Sequence, residues 1–397
     1  MRILHTSDWH LGRSFHGEGL GAAHEAYVDH LVETARTHEV DAVLVAGDIY
    51  DRALPNPRTV ELLDDALWRL LDTGARVVVT SGNHDSASRL NFGSRIMEHA
   101  GLHIRASYES ITRPVAIPRR GSDETAGHVV ALPYLEPSVA AGVFGLDEGT
   151  HRAVLSDAVA RARAQVPNDG APVVAMAHAY FAGATTSDSE RDISVGGLGQ
   201  VPTSVIAPFE YAALGHLHGP QMLEENVRYS GSPVAMSFSE ARHTKGSWLL
   251  DVTRGQVRGE FVEAPVHRPL AILSGTLDDL LADPDLAHAE RAWCQVTLTD
   301  AVRPAAAMER LRARFPHTLR LMFDSPAEQG APVTYAERLA GRDDVELCCD
   351  FLAHVRGGRG PSAGEHTAIG TAVAAALRRD DETMPDDGSM FELEGLA

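Results

Sequence analysis

Five apolar runs in this chain break off into the same kinds of polar residue. "RILHTS" runs into "DWH", bringing Asp8 and His10. "DAVLVAG" runs into "DIYD", bringing Asp48 and Asp51. "RVVVTSG" runs into "NHD", bringing Asn83, His84 and Asp85. "APVVAMAH" ends on His178, and "EYAALGH" runs on through His216 to His218. Short runs rich in Val, Leu and Ala between turn residues read as buried strands. Carboxylates, amides and imidazoles are costly inside a core unless paired. Such a set is either a series of plain turns or the rim of one site. Recurrence at five strand ends favours the site, because open α/β sheets bind ligands beyond the carboxyl ends of their strands.

Between the first runs lie helical patterns. "AAHEAYVDHLVETARTH" places Tyr27, Leu31 and Ala35 on one face, and "PRTVELLDDALWRLLDTG" carries a leucine stripe that ends at Gly74 as a C-cap. "SASRLNFGSRIMEHAG" reads as a third helix. Strands alternating with helices predict an α/β fold with a largely parallel first sheet. The later runs, including "GSWLLDV" and "GEFVEAP", lack intervening helices and predict a second sheet packed on the first. These elements fill residues 1–265. Residues 266–324 read as a compact α/β unit, 325–343 as a linker, 344–379 as two amphipathic helices, and 380–397 as an acidic, disordered tail. In the two late helices Phe351, Leu352 and Val355, then Ile369, Val373 and Leu377, recur near helical spacing and are candidates for docking on a partner. Covering the chain's own core is the alternative.

Lys and Arg number 35 against 55 Asp and Glu, a formal charge of −20. Autonomous nucleic-acid binders are usually basic, because phosphate neutralisation drives their affinity. A polyanionic substrate then requires metal ions or a basic partner. No run of about 18 apolar residues predicts a membrane span, and the first residues do not read as a signal peptide. Three cysteines, two of them adjacent (Cys348 and Cys349), argue against a disulfide framework and for a reducing cytoplasm.

In extended chain, side chains at i and i+2 share a face, so Asp8 with His10, and His216 with His218, can each converge on one point. Asp8, His10, Asp48, Asn83, His178, His216 and His218 together offer nitrogen and oxygen donors and no thiolate. That chemistry suits divalent Mn, Fe, Zn or Mg-like ions. Seven ligands exceed the need of one catalytic ion and suit two ions sharing one carboxylate. Such a pair, about 3.5–4 Å apart, clamps the oxygens of an in-line phosphoryl displacement. His84 then sits beside the pair, placed to contact phosphate or protonate a leaving oxygen. Asp85 orients His84 or the loop, or caps the helix that follows.

The strand-end motifs resemble those of the calcineurin-like metallophosphoesterase superfamily, whose pattern is D-x-H, G-D-x-x-D, G-N-H-[DE], H and G-H-x-H. "HTSDWHLGR", "GNHDSASRLNFGS" and "YSGSPVAMSFSE" are similar to the SbcD family of nuclease subunits within it. The resemblance implies a four-layer sandwich, two packed sheets flanked by helices, with a small α/β cap domain and C-terminal partner-binding helices. It also implies a DNA nuclease dependent on two divalent metal ions, Mn²⁺ above all. Carried over, one ion takes Asp8, His10, Asp48 and His218; the other takes Asp48, Asn83, His178 and His216; His84 and Asp85 are catalytic. Archaeal and eukaryotic relatives carry a histidine where this chain has Asp51, which is therefore read as a carboxylate behind the ligands. Relatives act as 3′→5′ exonucleases on duplex ends and as endonucleases on single strands and hairpins. They work as a homodimer within a heterotetramer with an SbcC-type coiled-coil ATPase. A phosphatase or small-molecule phosphodiesterase is the alternative among enzymes. A non-catalytic DNA-tethering scaffold is the alternative of another class, but every ligand position and His84 are retained.

Overall fold

The computed structural model describes residues 1–190, 199–324, 343–356 and 359–382. The expected linker and acidic tail lie outside these residues, apart from Asp343 and positions 380–382.

The chain opens with β1 (Arg2–Thr6), a short hairpin of β2 (Ser14–Phe15) and β3 (Glu18–Gly19), and helix α1 (Gly21–Thr37). Strand β4 (Ala42–Ala46), α2 (Pro57–Asp72), β5 (Arg76–Thr80), the short helices α3 (Ala87–Leu90) and α4 (Ser94–Met97), and β6 (Leu102–Arg105) follow. Next come β7 (Val115–Pro118), β8 (Thr125–Ala131), α5 (Pro137–Phe144), α6 (His151–Arg163), β9 (Val173–His178) and β10 (Tyr211–Gly215). The hairpins β11 (Gln221–Glu224)/β12 (Val227–Tyr229) and β13 (Gly246–Thr253)/β14 (Gln256–Glu263) complete two six-stranded sheets. Their orders are β14-β13-β1-β4-β5-β6 and β11-β12-β10-β9-β8-β7. Neighbours β1, β4, β5 and β6 run parallel, as do β8, β9, β10 and β12.

Alternation along the strands builds the layers. In β4, Val43 and Val45 join a core with Tyr27 and Leu31 of α1 and Leu63, Ala66 and Leu70 of α2. Ala42, Leu44 and Ala46 point the other way, to a core shared with Val129, Val174, Met176, Tyr211 and Ala213 of the second sheet. The far face of that sheet packs Val130, Ala175 and Leu214 against Val154, Leu155 and Ala158 of α6. The result is the expected four-layer α/β sandwich. Between the sheets, His5 sits wholly buried, its Nδ1 2.9 Å from the Tyr211 hydroxyl and its Nε2 3.2 Å from the Leu214 carbonyl. Burial pushes its imidazole down to about 3, so it is a neutral inter-sheet tie.

Helix α2 starts where its sequence says it should. The Asn56 side chain accepts from the Thr59 N–H, Pro57 occupies the first turn, and Gly74 follows the end at φ +89°. Two expectations change. The third helix is broken into α3 and α4, because Gly93 adopts φ +73° between them. "GSWLLDV" and "GEFVEAP" do not build the second sheet. As β13 and β14 they extend the first, β13 pairing antiparallel with β1 from Arg2↔Asp251 to His5↔Trp248. A hairpin adds to a sheet edge without the crossover that a parallel strand requires.

Beyond residue 265, β15 (Leu270–Gly275), β16 (Trp293–Leu298) and β17 (Thr318–Phe323) form a three-stranded sheet in that order, with α7 (Leu277–Ala282) and α8 (Ala307–Arg314). Two compact units are seen. The larger comprises Met1–Ser274, Leu280–Thr297 and Met308–Met322. In it, Trp293, Leu270 and Leu319 share a cluster with Phe15, Leu20, Val234, Met236 and Phe238. The other holds Gly275–Asp279, Leu298–Ala307 and the described residues from Phe323 onward. It includes two helices, Asp344–Val355 and Ala363–Glu382, which contact each other. A capping box opens the second of these: the Ser362 N–H donates to Glu365 Oε2 at 2.8 Å, and the Glu365 N–H faces Ser362 Oγ at 3.4 Å. Among the described residues no helix is long and apolar enough to cross a membrane.

The sheets approach closely at the ends of β4 and β10. A Cβ on Gly215 would lie 1.8 Å from the Ala46 carbonyl oxygen and 3.0 Å from His178 Nδ1. Backbone cannot yield there as a side chain would. Gly215→Ala is expected to lower unfolding free energy by at least about 2 kcal/mol, read as a lower urea midpoint at unchanged m-value.

Candidate metal centre

The parallel strands of both sheets end at a common rim. Asp8 and His10 follow β1, Asp48 follows β4, Asn83 and His84 follow β5, His178 ends β9, and His216 and His218 follow β10. Turning the chain so sharply takes unusual backbone. Asp8, His10 and Asp48 adopt φ +52°, +45° and +47°, and His216 adopts +107°. Non-glycine residues in this region cost energy and cluster at functional sites. Glycines make room for the rest. A Cβ on Gly47 would meet His178 Nδ1 at 2.1 Å, and one on Gly82 would meet Asp48 Oδ1 at 2.1 Å. The polar turn after β5 is thus shaped to let Asp48 pass beneath it.

Donor atoms face one another across the rim. His10 Nε2 and His178 Nε2 each lie 3.4 Å from Asp48 Oδ2. His218 Nε2 lies 3.1 Å from His10 Nε2, and Asn83 Oδ1 lies 2.9 Å from His178 Nε2. Three overlapping sets each offer ligand atoms within 4.8 Å of one another: Asp8/His10/His218, His10/Asp48/His84 and Asp8/Asp48/His178. Asp48 stands between two imidazoles, where a shared carboxylate belongs. His216 enters none of these sets. Its ring centroid is 5.4 Å from that of His178, while its backbone N–H donates to Asp8 Oδ1 at 2.9 Å.

Hydrogen bonds behind the donors fix their orientation. His178 Nδ1 donates to the Ala46 carbonyl at 3.1 Å, which turns Nε2 toward Asp48. Ser7 Oγ donates to Asp8 Oδ2 at 2.5 Å. His84 Nδ1 donates to the Asp51 carbonyl at 3.0 Å, its ring edge-on to His10, and its N–H donates to Asp48 Oδ1 at 2.9 Å. The Asp51 carboxylate lies 3.5 Å from His10 Nδ1 and pairs with Arg13 at 3.0 Å. Asp85 neither orients the His84 ring nor caps α3. Its carboxylate accepts from the N–H groups of Ile49, Tyr50 and Gly82 at 2.9–3.0 Å, clasping the β4 loop to the β5 loop.

Two models of known families match the chain: calcineurin-like phosphoesterase over residues 1–185, and type 5 capsule protein repressor C-terminal domain over residues 266–356. Over 316 residues it is 36% identical to the SbcD subunit of the nuclease SbcCD from Escherichia coli strain K12, covering 75% of this chain and 78% of that protein. The counterpart from Escherichia coli O157:H7 matches to the same extent. The chain belongs to the SbcD family. Among solved structures, TT1561 of Thermus thermophilus aligns with 66% of this chain and 98% of its own, at 14% identity and a TM-score of 0.37, too remote to bear on function.

A phosphoesterase domain of the SbcD family implies divalent metal ions, and the donors present fit them. Atoms able to accept, on buried Asp8, His10, Asp48, His178 and His218, converge there. Such a knot of acceptors is costly without a cation at its centre.

The electrostatics match. Burial raises the Asp8 carboxyl to about 6 against the pull of His178 and His218. Burial also acts to raise Asp48, but His178 and His10 outweigh it and hold that carboxyl well below the usual range. Burial pushes His10 down to about 4 and His216 to about 3. For His178 burial acts downward too, yet Asp48 outweighs it and lifts the imidazole to about 9.

Sequence reasoning missed the residues behind His218. Ser189, Glu240 and Lys245 form a buried polar chain there, and the Glu190 carboxylate accepts the His218 N–H at 2.7 Å. Glu240 closes the "YSGSPVAMSFSE" stretch, the one signal that pointed toward it.

A metal takes neutral imidazole, whereas the His178 ring holds its proton up to about pH 9. Loading at pH 7.5 is therefore expected to release about one proton, and apparent affinity to rise about tenfold per pH unit between pH 7 and 9. Calorimetric titration with Mn²⁺ in two buffers of different ionisation heat counts that proton. A count of zero would refute the His178–Asp48 ion pair.

Proposed function

We propose that this chain is a two-metal DNA nuclease acting at DNA ends and hairpins with an SbcC-type coiled-coil ATPase. The observation that carries the reading is Asp48 Oδ2, 3.4 Å from an imidazole of each flanking set and so placed to be shared by two ions. Asp8, His10 and His218 with Asp48 would hold one; Asn83 and His178 with Asp48 would hold the other, with His216 completing it. Nitrogen and oxygen donors without thiolate suit Mn²⁺. When bound, the ions supply the positive charge that the scissile phosphate requires on a chain of −20.

The chain's own residues do the rest. Asp85 holds the loops so that Asp48 and Asn83 face the same point. His84 gives its Nδ1 proton to the Asp51 carbonyl, so Nε2 is the nitrogen that carries or accepts the second proton. It is positioned to protonate the leaving 3′-oxygen or to contact the phosphate. Cleavage of duplex ends from the 3′ side and of single strands and hairpins follows the SbcD relatives. The chain would work in the cytoplasm, as a homodimer within a heterotetramer.

The two late helices are the proposed seat of the ATPase. Phe351 is 66% exposed there, while Leu352, Ile369 and Val373 are half-buried. Val355 and Leu377 lie on the same helices. An exposed aromatic flanked by half-buried aliphatics suits a helix-in-groove contact.

Two experiments test this. With Mn²⁺, the wild type is expected to cut both a hairpin oligonucleotide and a nitrophenyl phosphodiester, and His84→Ala to lose about 10²- to 10⁴-fold in kcat on both while keeping its metal stoichiometry. Cleavage of the small diester alone would establish the phosphodiesterase alternative. Separately, Phe351→Asp is expected to abolish co-purification with the ATPase at unchanged helical circular dichroism. Retained association would remove the late helices as its seat.

A further inference from the structure

The polar chain behind His218 is a built device that the proposed reaction does not use. His218 Nε2 faces His10, and its Nδ1 lies 2.6 Å from Ser189 Oγ. Ser189 Oγ in turn bonds Glu240 Oε1, and Glu240 Oε2 is ion-paired with Lys245. Direct contact between Glu240 and the ring is too long, at 3.6 Å. All three side chains are buried: Ser189 is 9%, Glu240 1% and Lys245 7% exposed.

Proton counting gives the network one direction. A carboxylate only accepts, so the single Ser189 proton goes to Glu240. The Ser189 oxygen must then accept from His218 Nδ1–H. Ser187 Oγ, 3.0 Å away, spends its own proton on Glu190 Oε2 at 2.7 Å and does not compete. Lys245 uses its three donors on Glu240 Oε2, Ser232 Oγ at 2.9 Å and the His218 carbonyl at 2.8 Å. His218 is thus gripped at its N–H by Glu190, at its carbonyl by Lys245 and at its ring by Ser189. Every group in the set has a partner, the condition under which a buried polar network rigidifies its surroundings.

We propose that Ser189 is a positioning residue of the metal centre: it carries the charge of Glu240 to His218 Nδ1 and so presents Nε2 as a lone-pair donor to one ion. His10 is served differently, with the Asp51 carboxylate facing its Nδ1 and no hydroxyl between. The inference rests on reading His218 as a metal ligand. Groups behind a ligating imidazole fix its tautomer and raise its basicity.

Ser189→Ala tests the relay without orphaning a charge, because Glu240 keeps Lys245 and the Met236 N–H at 3.3 Å. The full chain is titrated with Mn²⁺ by calorimetry and by electron paramagnetic resonance, with metal-free melting as the control for folding. The wild type is expected to bind two ions. In Ser189→Ala, one is expected to bind about 10- to 100-fold more weakly and the other within about threefold of wild type. Ser189→Thr, which keeps the hydroxyl, is expected to restore the first, and metal-free melting to show a cooperative unfolding transition in every variant. Wild-type affinity for both ions in Ser189→Ala would overturn the relay while leaving the metal centre intact. A wild type that binds fewer than two ions would overturn the centre itself and the relay with it.

Discussion

The closeness of the two sheets at the Ala46–Gly215 contact is the constraint on which the rest depends. There a strand end of one sheet and a strand end of the other approach until no methyl group fits between them. The Ala46 carbonyl takes the Nδ1 proton of His178 across that gap. One hydrogen bond thereby joins the sheets and aims a ligand nitrogen at Asp48. Loosening the contact would part the donors of β9 and β10 from those of β1, β4 and β5, and no single strand carries enough of them to hold an ion.

That closeness is maintained against two opposing costs. Four donor-bearing residues hold positive φ, and several buried carboxylates and imidazoles face each other. Both terms oppose folding of the metal-free chain. They are offset by the inter-sheet core and by hydrogen bonds from backbone N–H groups to buried carboxylates, such as the three on Asp85. The acidic surface and the centre fit one scheme. Positive charge enters the site with the metals, and the Lys245 and Arg13 cations stay behind the ligands to steady Glu240 and Asp51.

Legibility from sequence followed the range of the interaction. Strand ends were readable because a buried run that stops at Asp, Asn or His breaks a local pattern. Helix α2 was readable because its leucine stripe is a local repeat and Gly74 acts within one turn of its end. The break at Gly93 was not, since a glycine within a helical pattern is usually tolerated and only its neighbours decide whether φ turns positive. The sheet membership of β13 and β14 was equally hidden, because "GSWLLDV" carries the same apolar content whichever edge it joins. Asp85 had three readings in the sequence, and contact with N–H groups 35 and 36 residues away selected one.

The sequence by itself determined the chemistry: nitrogen and oxygen donors at five strand ends, a histidine beside them, and an acid-rich chain that needs foreign cations to approach a phosphate. Only the tertiary structure decided the geometry. It set Asp48 3.4 Å from two imidazoles, left His216 outside the tightest sets, and drew Ser189 and Glu240 in behind His218 from 29 residues and 22 residues away in the chain. The physical reason is that residue identity sets what an atom can donate or accept, whereas hydrogen-bond and ion-pair energies depend on separations of a few tenths of an ångström, which exist only once distant strands have packed.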